Sequence, residues 1–205
     1  MKRLICLFVG LGFLISSCVI PEKFTCDINI KENGAYSVSA NSTLVFYTVF
    51  DEIKKHGKVS EKTDSEIKSY FDEGVKKEPT IKKYQYQNNG RAYVEYFKEV
   101  KDGSSVDLSS SGFPLTVTVS RDSIITIKAP VVDRDSKKSL QEYAKYGYNL
   151  NGTITITSEL PIIDAGGLKV GKKYFFFGPQ VIKKEVTLNT LPEQDIIIKI
   201  GKQVK

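Results

Sequence analysis

The sequence predicts an α+β protein: a mostly antiparallel sheet of about eight strands, with two or three short helices packed on one face. Three observations carry this. Apolar and polar residues alternate over many short stretches, which is the period of a half-buried strand. Turn residues such as Asn33-Gly34 and Asn88-Asn89-Gly90 separate those stretches at hairpin spacing. Helical spacing of apolar residues is confined to a few segments.

In chain order, Phe24, Cys26, Ile28 and Ile30 alternate and predict a strand over 24–30. Asn33-Gly34 turns the chain, and Tyr36, Val38 and Ala40 continue the pattern on a second strand. Phe46, Val49, Phe50 and Ile53 then follow helical spacing, with Gly57 as the stop. The alternative of a strand over 46–56 stays open. A second helix is expected from about Thr63, because Thr63-Asp64-Ser65-Glu66 reads as a capping box. Ile67, Tyr70, Phe71 and Val75 form its apolar stripe. Beyond Pro79, "IKKYQYQ" and "RAYVEYFKEV" flank the Asn88-Asn89-Gly90 turn. The segment 102–112 reads as a polar loop. "LTVTVS" and "SIITIKA" flank Arg121-Asp122 and form another hairpin pattern. "SKKSLQEYAKYG" (136–147) is helical, with Leu140, Tyr143 and Ala144 on one face and Gly147 as its end. "TITIT" turns Ile154 and Ile156 inward, and "KKYFFF" and "DIIIKI" supply the last strands.

The first residues have a different character. From Leu4 to Ile15 the chain is apolar apart from glycine and one cysteine, and Lys2 and Arg3 precede the run. Crossing a bilayer needs about 20 apolar residues, so this run is too short. A basic start, a short apolar stretch and small residues at its end form the layout of an export signal. Ile15-Ser16-Ser17-Cys18 resembles the lipobox of bacterial lipoproteins. That resemblance implies cleavage between Ser17 and Cys18 and lipidation of Cys18, whose acyl chains would anchor the protein. It also implies an outer-membrane address if the cell has two membranes, because Val19 replaces the aspartate that holds such proteins at the inner one. The expected organisation is a signal peptide over 1–17, a tether over 18–23 and a single α+β domain over 24–205, placed in the periplasm or at the cell surface.

Composition then restricts function. The formal net charge is +6, and loss of Lys2 and Arg3 with the signal lowers it to about +4. After lipidation of Cys18, Cys26 would be the one thiol left, so no disulfide can form within the mature chain. Cys26 is expected on the buried face of its strand, with a reactive thiol as the alternative. His56 is the sole histidine, which excludes a two-histidine zinc site. No nucleophile-elbow motif accompanies it. "GGLKVGKK" (166–173) has phosphate-loop spacing, but Lys173 stands where a hydroxyl is needed and "YFFFG" follows rather than a helix. It reads as a turn between strands. Asp51-Glu52 and Asp133-Arg134-Asp135 are the nearest carboxylate pairs for an envelope hydrolase. The second reads as a loop before a helix. The expectation is no catalysis, no metal and no cofactor.

Binding is the remaining class. Lysine pairs recur at 76–77, 82–83, 172–173 and 183–184, with tyrosines interleaved. Lys82, Lys83, Tyr84, Tyr86, Tyr93, Lys172 and Lys173 are the candidate ligand or partner surface. Nucleic acid is not expected outside the cytosol. The first expectation is a non-catalytic binding or structural module with an envelope protein or lipid as partner. The second is a carrier or sensor of a lipid or other apolar ligand, with Phe46, Phe50, Phe71, Phe97, Phe113, Phe175 and Phe176 lining a cavity. Within 153–178, a Thr/Ile strand, Pro161 and the Gly166-Gly167 turn resemble mycobacterial lipoproteins of the LppM type. That resemblance implies lipid binding and carries over no site residue.

Overall fold

A computed structural model describes residues 19–101, 103–108, 115–174 and 177–201. The chain is α+β, with three helices, a seven-stranded mixed sheet and a five-stranded antiparallel sheet among these residues. Strands β1 (Val19–Ile30) and β2 (Tyr36–Phe46) lead into helices α1 (Thr48–His56) and α2 (Glu61–Lys77). The hairpin of β3 (Ile81–Asn88) and β4 (Arg91–Val100) follows. Three short strands come next: β5 (Val106–Asp107), β6 (Thr116–Val119) and β7 (Ile125–Ala129). Helix α3 (Arg134–Ala144) then precedes β8 (Asn151–Ser158), β9 (Ile162–Asp164), β10 (Val170–Tyr174), β11 (Phe177–Thr187) and β12 (Ile196–Ile200).

The larger sheet runs β10-β11-β8-β1-β2-β4-β3, and the smaller runs β5-β6-β7-β12-β9. Pairing among the described residues is antiparallel except between β1 and β8, where Cys26 faces Ile154 and Ile28 faces Ile156. Among the described residues, twelve strands in two sheets replace the expected eight or so in one. Alternation tells each strand that it has a buried face, but not which sheet it joins. The segment expected as a polar loop holds β5, whose Val106 is buried.

One face of the large sheet builds both halves of the core. Cys26, Ile28, Val38, Ala40, Ile156 and Ile182 meet the small sheet through Val117, Ile127, Ile198 and Ile200. Farther along, Leu44, Ala92 and Val94 meet the helices through Val49, Phe50, Ile67 and Phe71.

The expected tether is instead strand. From Val19 onward, the chain pairs with β2 and buries Val19 at 5% exposure. The register slips between Pro21 and Lys23, so Glu22 is the extra residue of a bulge. Before it Val19 and Pro21 share the inner face, and after it Phe24 and Cys26 do.

The helix boundaries also differ in detail. The segment 46–56 divides: Phe46 ends β2, and Thr48–His56 is α1, closed by Gly57 at φ 74°. Helix α2 starts earlier than Thr63. Ser60 is its N-cap and accepts the Thr63 amide at 3.2 Å, while the Thr63 hydroxyl donates to Glu52 at 3.0 Å. Helix α3 likewise begins at Arg134, so Asp133 is a cap and Asp135 lies in the first turn. The Gly166-Gly167 stretch is a turn with positive φ at both glycines, and β10 follows it.

Candidate functional site

A cavity of about 550 Å³ lies between the two sheets and α3. That volume is in the range of small-molecule sites. The large sheet supplies Ile20, Pro21, Phe24 and Cys26 from β1, Ile154 from β8, and Lys184 and Val186 from β11. The small sheet and its flanks supply Leu115, Ala129, Pro130, Pro192 and Ile196. Helix α3 covers the space with Ser136, Ser139, Leu140 and Tyr143. The walls are therefore almost wholly apolar.

Local sequence explains this space. None of the α3 side chains is fully buried, although Leu140 and Tyr143 share a face at helical spacing. That face both lines the cavity and packs at the edge of the core that holds Phe50 and Tyr148. The helix is held by its ends and flanks. The Asp133 carboxylate accepts the Ser136 hydroxyl at 2.6 Å and the amides of Ser136 and Asp135 at 2.9 and 3.0 Å. Those bonds, the Ser136 hydroxyl first, hold Asp133 below the usual carboxylate range. Their stabilising effect is complete at neutral pH and fades as pH falls through that lowered value. On the other side, Tyr143 stacks on Phe50 at 5.0 Å, and Glu142 accepts from Lys54 at 3.3 Å. The floor is fixed by Tyr148, which is 3% exposed and donates to the Pro21 carbonyl at 2.9 Å. Burial, aided by the nearby Glu22 carboxylate, pushes its hydroxyl well above the usual tyrosine range. Phe24 can lie along the wall because its register partner is Gly152, where a Cβ would overlap the ring.

Cys26 forms part of this wall, and burial with the neighbouring Asp27 charge pushes its thiol up to about 12. The thiolate is the reactive form. Iodoacetamide at pH 8 is therefore expected to alkylate native Cys26 about a thousandfold more slowly than the unfolded chain. Mass spectrometry of the peptide that carries Cys26 measures this, and equal rates would show that the strand face is open.

The candidate surface from the sequence does not come together. Lys82, Lys83, Tyr84 and Tyr86 are on β3 and Tyr93 is on the adjacent β4, but Lys172 and Lys173 are on β10, at the opposite edge of the sheet. Tyr84 and Tyr86 turn toward α2. Their hydroxyls donate to Asp72 at 2.8 Å and Asp64 at 2.6 Å. On the outer face, Tyr93 donates to Glu95 at 2.9 Å, and Lys83 sits 3.3 Å from the same carboxylate. The expected phenylalanine lining is also corrected. Phe46, Phe50 and Phe71 pack with the helices, and Phe97 is 44% exposed. Phe113, Phe175 and Phe176 lie outside the described residues, as do the lipobox and Cys18. The aromatic lining is Phe24, Tyr47, Tyr143 and Tyr148.

The fold resembles the folded domain of LppM from Mycobacterium tuberculosis, solved by NMR, over 96% of this chain and 98% of that one, at 9% identity and a TM-score of 0.41. No protein-family model matches the chain, and no curated protein sequence matches it.

Asp51 is exposed on α1, and Glu52 accepts the Thr63 hydroxyl, so neither faces the cavity. Asp133 and Asp135 do line its mouth, but the first caps α3 and the second lies 3.6 Å from Lys138. Among the described residues, no cluster of three or more His, Cys, Asp or Glu could hold a metal ion. No described helix is long and apolar enough to cross a membrane.

Proposed function

We propose that this chain is a lipid-anchored binding protein of a bacterial envelope, without catalysis, whose intersheet cavity holds an apolar ligand such as a lipid. The single observation that supports this reading is an apolar space of about 550 Å³ left between two otherwise closely packed sheets. A module whose only task was to hold a partner on its outside would gain dispersion energy by filling that space. Its position also suits an anchored protein. Ile20 and Pro21 line the cavity, two and three residues after Cys18. Two extended residues reach about 7 Å at most, so an acylated Cys18 would keep this end of the molecule near the bilayer. The domain would work in the periplasm or at the cell surface, on an outer membrane where the cell has one. No cofactor is needed for this role.

Nile red, a neutral apolar dye, tests the reading. Titration into the purified protein is expected to give saturable fluorescence enhancement at one site per chain. Mass spectrometry of protein extracted in mild detergent is expected to show an acyl mass on Cys18. Absence of saturable dye binding would overturn the cavity reading, and an unmodified Cys18 on the isolated protein would overturn the anchor.

A further inference from the structure

We infer that the cavity is built for an amphiphile with an anionic head, a long-chain carboxylate or alkyl phosphate, and that Lys184 meets that charge. The inference rests on the cavity reading and names the class of ligand. Along β11, Ile182, Lys184 and Val186 pair in register with Ile156, Ile154 and Gly152 of β8. Alternate residues share a face, so Lys184 belongs to the inner row. Its flanking residues behave accordingly: Ile182 is 1% exposed, and Val186 lines the cavity. Lys183 points the other way, is exposed, and lies 4.0 Å from Glu185.

Lys184 lines both the large cavity and a small void beyond it, of about 20 Å³. All the other residues around that void are aliphatic. Lys184 thus sits where the open space meets the closed core. Among the described residues it has no ion pair and no hydrogen bond. The two carboxylates that face the cavity are already engaged, Asp133 by the α3 amides and Asp135 by Lys138. An ammonium group on an apolar wall is unfavourable without a counter-charge. Lys184 is partly exposed, so it tolerates an empty cavity while its charge lacks a protein partner. A bound anion supplies the missing partner, and a charge-assisted contact of this kind is roughly twice as strong as a neutral one. The apolar walls around it accept the chain. The basic group therefore selects the head, and the cavity selects the tail.

Competition against Nile red separates these elements, because the dye carries no charge. The competitors are hexadecanoate, hexadecyl phosphate and hexadecanol, which share one chain length. At least one anion is expected to displace the dye at concentrations about tenfold lower than hexadecanol, a difference of the size that one charged contact provides. Lys184→Met keeps the stem and removes the charge. It is expected to abolish that preference, so that within the variant both anions and hexadecanol displace the dye at concentrations equal to within about twofold. Lys184→Arg, which keeps the charge, is expected to retain it. Preference for hexadecanoate alone assigns a fatty acid, and preference for hexadecyl phosphate alone assigns a lipid phosphate. Equal potency of all three competitors, or an anion preference that survives in Lys184→Met, would overturn the inference while the cavity reading stands. Failure of the unaltered protein to bind Nile red would instead remove the cavity reading beneath it.

Discussion

Arg91→Ala is expected to lower the stability of the domain by about 3–5 kcal/mol, the usual cost of leaving one partner of a buried ion pair behind. The carboxylate left behind is that of Glu22, which is 6% exposed. Arg91 grips it with a fork: Nε donates to Oε2 at 2.8 Å and a terminal nitrogen donates to Oε1 at 3.0 Å. The guanidinium also lies 5.8 Å from the centroid of the Phe50 ring. The pair thus ties the bulge in β1 to the start of β4 and to α1. Arg91→Lys is not a conservative replacement, because an ammonium cannot make the two parallel bonds. Replacing both residues by leucine removes the unpaired charge and is expected to recover most of the loss. Urea unfolding at neutral pH reads all three variants. A loss below about 1 kcal/mol for Arg91→Ala is the value of an exposed pair, and would mean that Glu22 is solvated.

The same bulge shows where sequence reasoning stops. Alternation marked Phe24–Ile30 as strand because each inward residue there is apolar. Glu22 breaks the period, and an extra residue moves the inner face from odd to even positions. Val19–Lys23 therefore has no continuous pattern, although all of it except Glu22 pairs with β2. The fold class was legible because turns and periodicities are local. The division into two sheets was not, because the β1–β8 pairing joins segments more than a hundred residues apart. The cavity was anticipated in kind and mistaken in lining. Phenylalanines are interchangeable in composition, and only tertiary position separates Phe24, on the wall, from Phe50, in the core beneath the helices. The lysine–tyrosine surface failed for a related reason: β3 and β10 look alike in sequence and occupy opposite edges. Lys184 had a local signal. Two adjacent lysines in a strand must face opposite sides, and Ile182 and Val186 mark the inner one.

Ala129→Trp is expected to weaken Nile red binding at least about a hundredfold with no loss of stability. Ala129 ends β7, pairs with Ile196 of β12, and lines both the cavity and the small void behind it. Its methyl group is among the smallest on the wall, so a larger side chain there is expected to extend into the cavity. In a filled core such a change strains the structure by about 1–3 kcal/mol. Here the added ring would gain contacts with Ile196 beside it and with Ile154 and Leu140 across the gap. Binding and stability are thus expected to move in opposite directions, which is the behaviour of a site kept open at the expense of packing. Phe97→Trp serves as the comparison, since it places the same indole on an exposed position of β4 and should change neither. Dye titration and thermal unfolding on the three proteins supply the measurements. Undiminished dye binding in Ala129→Trp would place the apolar site elsewhere on the molecule. A melting temperature that falls sharply would mean that the walls have already closed on each other in solution.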